Sequence, residues 1–434
     1  MIRGAARGLT LSLCLALSAC SGPTTSLWSE AGGAATEPTG SPSAGTTTSS
    51  DAGTGTATGG SSTTAGAPNG GAATAGGGTS NAGDTSTASS GAASTDSPPR
   101  TRQKLEPADG KTLLFIGQDT SEIESYASTF GMPAGVMLYS NVWDGLGVLA
   151  PSDFGGYGQS DLGHWRGKPE AFALQVGLDL DHGQNCGSCG GCARAGFLEQ
   201  LARGDSARVA MVRAIVTALR DSGRPVFLRV GYEFDAEICP GGFGKYPMAA
   251  YQQAFKRVRS IITEEHADKI ALVWNAWAFQ ARDPAQAVGV AAWGWYPGDD
   301  VVDWIGLSVF PGTSAGDVTE QYQADKRRQF VDFAKRHGKP LMIAEATPRA
   351  RFQPAVGDAA WSGWYAGVFD YIAQNDVKAF CYINMNWEAL GQWRGRGWGD
   401  SRVQGTGLSS KWQGALGASR FLQASNGLYA ELGL

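Results

Sequence analysis

Residues 105–434 are predicted to fold as a (β/α)8 TIM barrel, an α/β fold in which eight parallel strands alternate with helices. Three observations predict it. Eight short apolar runs recur along this part of the chain, amphipathic helical patterns separate most of them, and nearly every run ends in polar or aromatic residues. Barrels of this kind form their active sites at the C-terminal ends of the strands. An open doubly wound sheet is the alternative, but no Gly-rich phosphate loop follows the first run.

The strands and helices follow from these runs and patterns in chain order. The eight predicted strands cover 112–119, 134–141, 171–180, 225–233, 270–277, 302–310, 340–346 and 378–387. The clearest helical patterns cover 206–223, 248–267, 318–338 and 361–375. Three of these helices end in Gly or Asn near basic residues, which is typical of helix C-termini.

Residues 1–20 are predicted to be an export signal. Arg3 and Arg7 give a positive start, an apolar stretch too short to span a bilayer follows, and small residues close the segment. The tetrapeptide "LSAC" resembles a bacterial lipoprotein box, which implies cleavage before Cys20 and lipid attachment to its sulfur. Ser21 at the next position implies an outer-membrane or cell-surface location, with the lipid as the sole contact with the membrane. Plain secretion is the alternative.

Residues 21–104 are predicted to be a disordered linker of low complexity. The segment consists mainly of Gly, Ser, Thr and Ala, with hardly an aromatic or long aliphatic side chain. Such a composition cannot bury enough apolar surface to offset the entropy lost on ordering. We therefore expect a flexible tether between the membrane and the barrel.

The charge of the barrel region argues against nucleic acid as a partner. The whole chain carries a formal net charge of −5; the signal contributes +2 and residues 21–99 contribute −5, which leaves −2 for residues 100–434. No basic run appears in this region, although nucleic-acid-binding proteins need one. Thirteen of the 14 Trp residues lie here instead. This composition favours an uncharged ligand with flat apolar faces, and we expect a monomer that needs no cofactor.

The cysteines of the barrel region are predicted to form disulfides. Cys186, Cys189 and Cys192 lie in "NCGSCGGC", and Cys239 lies in "ICPGG". The spacing is also that of an iron–sulfur or structural metal site, but exported proteins meet an oxidising compartment in which disulfides are the default. Two bridges would join the loops after two successive strands, with the pairing left open. Cys381, in an apolar run, is expected to be a buried thiol.

Two glutamates stand out as a pair of acidic residues at strand ends. Glu233 closes the fourth predicted strand and Glu345 closes the seventh, 112 residues later. Hydrolysis of a glycosidic bond needs one carboxyl group that protonates the leaving oxygen. A second, about 5 to 5.5 Å away, attacks the anomeric carbon in retaining enzymes. A barrel can bring two strand ends face to face at its mouth, where low water content can raise the pKa of the acid.

Four segments around this pair resemble glycoside hydrolase family 26, the β-mannanase-like family, and its relatives in the retaining clan A barrels. They are "FLRVGYEFD", "LVWNAWA", "WYPGDDVVDWIGLSVF" and "KPLMIAEATP", and the similarity spans residues 225–346. The resemblance implies a retaining endo-acting β-glycanase, with Glu233 as acid/base and Glu345 as nucleophile. Arg229 matches an Arg that often precedes the acid by four residues. Tyr232 stands where family 26 places His.

The resemblance implies a β-glycan as substrate, with β-mannan as the first expectation and β-xylan or β-glucan next. The candidate substrate-binding residues lie at strand ends: Trp387, Trp277, Tyr232, Arg229, Asp179, Asp181, His182, Phe310 and Asn386. Five of them have a structural alternative. The two Trp side chains would otherwise pack in the core, and Asp179, Asp181 and His182 would otherwise brace the cysteine loop. Trp274, inside its strand, is expected to belong to the core.

Two other functions remain open. A barrel that has lost catalysis would act as a sugar-binding surface lipoprotein. A transglycosylase that remodels the cell's own envelope glycan would use the same two glutamates but release longer products. All three hypotheses share a polysaccharide or oligosaccharide as the partner.

Overall fold

The computed structural model describes residues 101–153, 156–181, 183–184, 193–235, 246–277, 293–311 and 319–434, with no account of the side chains at 183–184, 193–194, 319–326 and 350. Several predicted sites lie outside the described residues, and they are Cys20, His182, Cys186, Cys189, Cys192 and Cys239.

Eight parallel strands close into a barrel, which confirms the predicted fold class. They are β1 Thr112–Gly117, β2 Gly135–Asn141, β3 Ala173–Asp179, β4 Val226–Val230, β5 Ile270–Ala276, β6 Trp304–Val309, β7 Leu341–Ala346 and β8 Ala379–Ile383. Each strand pairs with the next along the chain, and β8 pairs with β1, where Leu113 lies opposite Ala379. The two-residue strand Phe421–Leu422 pairs in parallel with β1. Two short antiparallel pairs lie in the loops: Ser152–Asp153 with Gln159–Ser160, and Gly183–Gln184 with Ala193–Arg194.

Helices surround the barrel, and four of them lie where the periodicity predicts, over 206–223, 248–267, 318–338 and 361–375. The longer ones are α1 Thr120–Phe130, α2 Leu162–Arg166, α3 Phe197–Arg203, α4 Ser206–Asp221, α5 Met248–Glu264, α6 Thr319–Arg336, α7 Ala366–Gln374, α8 Ser409–Leu416 and α9 Leu428–Glu431. Short turns Ala350–Phe352, Pro354–Val356, Asp358–Ala360 and Trp361–Tyr365 lead into α7. Within the described ranges, no helix has the length and apolar character needed to cross a membrane.

Alternation along each strand divides the core into two layers. Leu114 and Ile116 of β1 face the helices, whereas Leu113 and Phe115 face the barrel interior. The interior is filled with side chains, since the ring of Phe115 lies 5.3 Å from that of Phe227 on the opposite side. The barrel is therefore a packed core with no pore, and ligands can enter only at its ends.

The N-terminal end of the barrel is closed, which leaves the opposite end for a ligand. Leu105 is buried beneath the strands, and the indole N–H of Trp304 donates to the carbonyl of Lys104 at 2.7 Å. Leu428 and Leu432 of the C-terminal segment join the same cluster. Trp274 lies in the outer layer, fully buried and stacked on Phe234, which confirms its predicted place in the core.

Candidate active site

Glu345 points into the barrel because of a β-bulge near the end of β7. Ala344 faces the interior and Ile343 the helices, so strict alternation would turn the side chain at 345 outward. The pairing with β6 shifts by one residue after Ile343, and Ser308 lies opposite Glu345. Ala346 then returns to the outer layer. The extra residue thus re-aims Glu345 toward the barrel mouth.

Gln175 of β3 supports this bulge from across the barrel. Its side-chain amide donates to the carbonyl of Ala344 at 2.6 Å. Gln175 is fully buried, and a bulge disrupts the ladder that would otherwise satisfy backbone groups. The hydrogen bond therefore pairs a carbonyl next to Glu345 and helps to fix the backbone there.

Arg229 and Tyr139 bind the same oxygen of Glu345. The guanidinium Nη1 of Arg229, on β4, lies 2.5 Å from Oε1, and the hydroxyl of Tyr139, on β2, donates to Oε1 at 3.0 Å. Nη1 also donates to Oδ1 of Asn275 on β5 at 3.0 Å. Arg229 is fully buried and Glu345 is 7% exposed. Because a buried carboxylate needs partners, these two donors hold Glu345 in one orientation.

The same neighbours fix the protonation of Arg229 and Tyr139. Burial acts to lower the pKa of Arg229, but the negative charge of Glu345 outweighs it and leaves that pKa above its ordinary value. Burial raises the pKa of Tyr139 well above its usual range, and the Glu345 carboxylate adds to this shift. Tyr139 is therefore a protonated donor at any physiological pH.

Gly177 of β3 makes room for these two side chains. A Cβ atom at this position would lie 2.7 Å from the ring of Tyr139 and 2.9 Å from Nη2 of Arg229. Neither group is free to move, since both are held against Glu345. A larger residue here would therefore displace the partners of the carboxylate.

Glu233 lies three residues beyond the end of β4, in a turn and not on the strand as predicted. Its φ of 53° falls in the left-handed region, which is uncommon for a residue other than glycine. The N–H of Glu233 donates to the carbonyl of Asn275 at 2.8 Å and secures this turn against β5. Its carboxylate Oε1 accepts a hydrogen bond from the hydroxyl of Ser308 at 2.6 Å. Glu233 is 6% exposed.

Ser308 brings the two carboxylates together. Its side chain binds Glu233, and its backbone position lies opposite Glu345 on the neighbouring strand. Adjacent strands are about 4.8 Å apart. The electrostatic influence of both glutamates also reaches the hydroxyl of Tyr139. Ser308 thus links Glu233 to the strand position beside Glu345, at the C-terminal end of the barrel.

Four aromatic side chains form a wall at this end of the barrel, one just beyond β6 and three beyond β8. We call Phe310, Trp387, Trp393 and Trp398 the aromatic wall. Trp387 lies in the turn Trp387–Ala389, its ring 5.4 Å from that of Trp393 and 5.6 Å from that of Trp398. Phe310 meets Trp398 edge-on at 5.4 Å. Of the four, Phe310 and Trp387 were predicted. Strand β8 ends at Ile383, so Trp387 lies on a loop and not on the predicted strand.

Tyr232 and Trp277 flank the glutamates on the other side. The ring of Tyr232 is half-buried, 5.5 Å from that of Tyr139, and the guanidinium of Arg229 lies 4.9 Å from its centre. Trp277 is half-buried just beyond β5. Its backbone N–H donates to the carboxylate of Asp235 at 2.5 Å. Both residues follow the C-terminal ends of their strands.

The remaining predicted residues lie further from the pair. Asp179, at the end of β3, is half-buried and accepts a hydrogen bond from the hydroxyl of Tyr246 at 2.6 Å. Asp181 is buried, and its carboxylate accepts from the N–H of Phe197 at the start of α3, which is a bracing contact. Asn386 is half-buried and pairs through its backbone with Asp400.

Sequence analysis missed several residues of the site. Tyr139 and Ser308 contact a glutamate, Gln175 contacts the carbonyl next to Glu345, and Asp235 contacts the backbone of Trp277. Tyr139 and Ser308 are interior positions near the C-terminal ends of their strands, so strand alternation could have identified them. Asp235, two residues after the acid, carried no comparable signal.

Among the described residues, no group of three His, Cys, Asp or Glu side chains is placed to hold a metal ion. The site is thus an array of two carboxylates, one buried cation, neutral donors and aromatic rings. A pair of carboxyl groups at a barrel mouth is the equipment that glycoside hydrolysis uses.

Two known proteins are similar in sequence to most of this chain. No family model matches the chain. A β-1,3-xylanase of a Vibrio species is 30% identical over 358 residues, which cover 76% of this chain and 70% of that protein. A β-1,3-xylanase of an Alcaligenes species is 29% identical over 358 residues, which cover 76% of this chain and 68% of that protein.

Solved structures show the same fold. A family 26 β-mannanase from Bacteroides ovatus superposes with a TM-score of 0.52 at 12% identity and covers 73% of this chain and 92% of its own. An endo-β-1,4-mannanase from Cellulomonas fimi gives 0.50 at 16% identity and covers 74% of each chain. The chain therefore belongs to the family of the β-1,3-xylanases, and its fold is that of the family 26 β-mannanase barrels.

Proposed function

We propose that this endo-acting glycoside hydrolase cleaves a β-1,3-linked xylan by double displacement, with Glu233 as acid/base and Glu345 as nucleophile. The observation that carries the assignment of roles is the difference between the two carboxylates. Glu345 is held by the charged guanidinium of Arg229, whereas Glu233 accepts from the neutral hydroxyl of Ser308. A neighbouring cation favours the ionised form that a nucleophile needs, and a neutral environment permits the protonated form that an acid needs.

In the first step, the carboxylate of Glu345 attacks the anomeric carbon of the bound sugar. Arg229 and Tyr139 hold Oε1, which leaves the second oxygen to form the bond. Glu233 gives its proton to the glycosidic oxygen as the bond to the leaving sugar breaks. The products of this step are a shortened glycan with a free hydroxyl and a glycosyl ester on Glu345.

In the second step, water replaces the enzyme at the anomeric carbon. Glu233, now a carboxylate, accepts a proton from the water as the oxygen attacks. The ester bond breaks, Glu345 regains its charge beside Arg229, and Glu233 is protonated again. Two inversions at one carbon give a product with the configuration of the substrate.

The choice of substrate rests on the relatives. The proteins that are similar over most of this chain are named β-1,3-xylanases, which favours β-1,3-xylan over the β-mannan that the resemblance of short segments put first. The mannanase structures share the fold at 12% to 16% identity and support no choice of sugar. The aromatic wall suits stacking on any pyranose face.

A panel of soluble glycans tests this proposal. Purified protein is incubated with β-1,3-xylan, β-1,4-xylan, β-mannan and mixed-linkage β-glucan, and reducing ends are counted. We expect release from β-1,3-xylan, and a fall of roughly 10⁴-fold or more in Glu345→Ala. Turnover in Glu345→Ala at the level of the parent protein would refute the assignment of the nucleophile. Affinity without turnover in either form would indicate a sugar-binding protein, and products longer than the substrate a transglycosylase.

A further inference from the structure

The hydroxyl of Tyr139 faces two acceptors but carries one proton. It lies 3.0 Å from Oε1 of Glu345 and 3.2 Å from Oε1 of Gln118. The orientation of the Gln118 amide is set at its other atom, because Nε2 donates to the carbonyl of Tyr157 at 2.8 Å. A carbonyl can only accept, so the amide oxygen must face Tyr139. The two oxygens therefore compete for one phenolic proton.

We propose that Gln118 is a positioning residue that takes over the hydrogen bond of Tyr139 when Glu345 loses its charge. The inference rests on the proposed function, in which Glu345 becomes a glycosyl ester. Before attack, Tyr139 donates mainly to Glu345, since hydrogen bonds to an ionised acceptor are the stronger ones. In the glycosyl-enzyme, Oε1 belongs to a neutral ester, and the hydroxyl turns to Gln118. The proton stays on Tyr139 throughout, and only the direction of the O–H bond changes.

Burial makes the second acceptor necessary. Gln118 is 2% exposed and Tyr139 is 5% exposed, so bulk water is a poor substitute for either partner. The ester carbonyl of the glycosyl-enzyme is a weaker acceptor than the carboxylate was, and a weakened hydrogen bond is costly to a buried donor. Gln118 therefore lowers the free energy of the glycosyl-enzyme and of the transition state that leads to it, in which the charge of Glu345 is already fading.

Arg229 and two tyrosine rings surround the Tyr139 side chain. Arg229 lies with its guanidinium carbon 5.5 Å from the centre of the Tyr139 ring and, like any guanidinium, can only donate. The ring of Tyr157 packs 6.2 Å away, and that of Tyr232 5.5 Å away. Of the two acceptors that face the hydroxyl, Glu345 changes charge in the reaction and Gln118 does not.

A double-mutant cycle on the burst phase tests the proposal. The substrate is 4-nitrophenyl β-1,3-xylobioside, whose release of nitrophenol separates the rate constant of glycosylation from that of deglycosylation. Gln118→Met keeps the length of the side chain and removes its acceptor. We expect the glycosylation rate constant to fall about tenfold with an unchanged substrate dissociation constant. In a Tyr139→Phe background, Gln118→Met should change this rate constant by less than twofold.

The cycle has outcomes that overturn the inference. If the two substitutions lower the glycosylation rate constant by factors that simply multiply in the double variant, Gln118 acts through the Tyr157 carbonyl or through the fold. If Gln118→Met leaves the burst unchanged, Gln118 does not act at all. Thermal unfolding of each variant checks folding, and Gln118→Leu replaces a Met variant that fails this check. Turnover in Glu345→Ala would defeat the proposed function itself, whereas an inactive Glu345→Ala with a multiplicative cycle would defeat only the role of Gln118.

Discussion

The ion pair between Arg229 and Glu345 allows a quantitative prediction of the free energy of unfolding that is lost without Arg229. Arg229→Met keeps the approximate volume of the side chain but leaves Glu345, 7% exposed, without its cation. Removing one member of a buried ion pair typically lowers the free energy of unfolding by 3 to 5 kcal/mol. The hydroxyl of Tyr139 still solvates the same oxygen, so we expect about 3 kcal/mol at pH 7. Activity should fall roughly a hundredfold, because the nucleophile loses its orientation.

The sign of the pH dependence separates lost charge pairing from lost packing. The variant buries an unpaired carboxylate, whose protonated form costs less to bury than its ionised form. The stability deficit should therefore shrink as pH falls from 7 to 4 and the carboxylate becomes protonated. Urea unfolding of the parent and the variant, measured at both pH values, gives the two differences in free energy. A deficit below 1 kcal/mol, or an equal deficit at both pH values, would refute the reasoning.

Arg224→Met is the matched control. Arg224 precedes the opposite end of the same strand, is 6% exposed, and donates to the carbonyls of Glu170 and Lys168 and not to a carboxylate. Its loss should destabilise the barrel equally at pH 7 and pH 4. Catalysis should remain at the level of the parent protein.

Three further outcomes are expected. Ser308→Ala removes the neutral donor to Glu233 and should move the basic limb of the pH profile of kcat/KM upward, because the ionised acid loses a stabilising hydrogen bond; an unmoved limb would contradict this contact. Gly177→Ala should lower the free energy of unfolding by about 1 to 3 kcal/mol and lower activity, since its Cβ would meet Tyr139 at 2.7 Å; chemical denaturation measures the first and the xylan assay the second. Cys20→Ser should abolish incorporation of radiolabelled palmitate in the bacterium, and labelling that persists would place the lipid elsewhere.

Much of the fold was accessible from sequence because hydrophobic burial repeats with the period of each element. All eight apolar runs are strands, and all four helical patterns are helices. The helix α1 was missed, although Asp119 caps it by accepting from the N–H groups of Ser121 and Glu122. Asp119 is the last residue of the predicted strand 112–119. A single capping residue is a weaker signal for a helix than the preceding run is for a strand.

The candidate site was only partly accessible, because two local departures from regular structure create it. Alternation along β7 would have turned Glu345 outward, and the bulge that reverses this depends on pairing with β6. Glu233 reaches the mouth through a left-handed turn held by the carbonyl of Asn275. Neither feature has a signature in the residues concerned. Arg229 is expected among the substrate-binding residues, and the structure shows its guanidinium bound to Glu345.

The most direct test of the central claim is the identity of the residue that becomes glycosylated. The enzyme is incubated with a 2-deoxy-2-fluoro-β-1,3-xylobiosyl fluoride, digested with protease, and mapped by mass spectrometry. The account predicts one labelled peptide, with the sugar on Glu345. A label on any other residue, or a fluoride burst that leaves no covalent sugar while the product anomer is inverted, would contradict it.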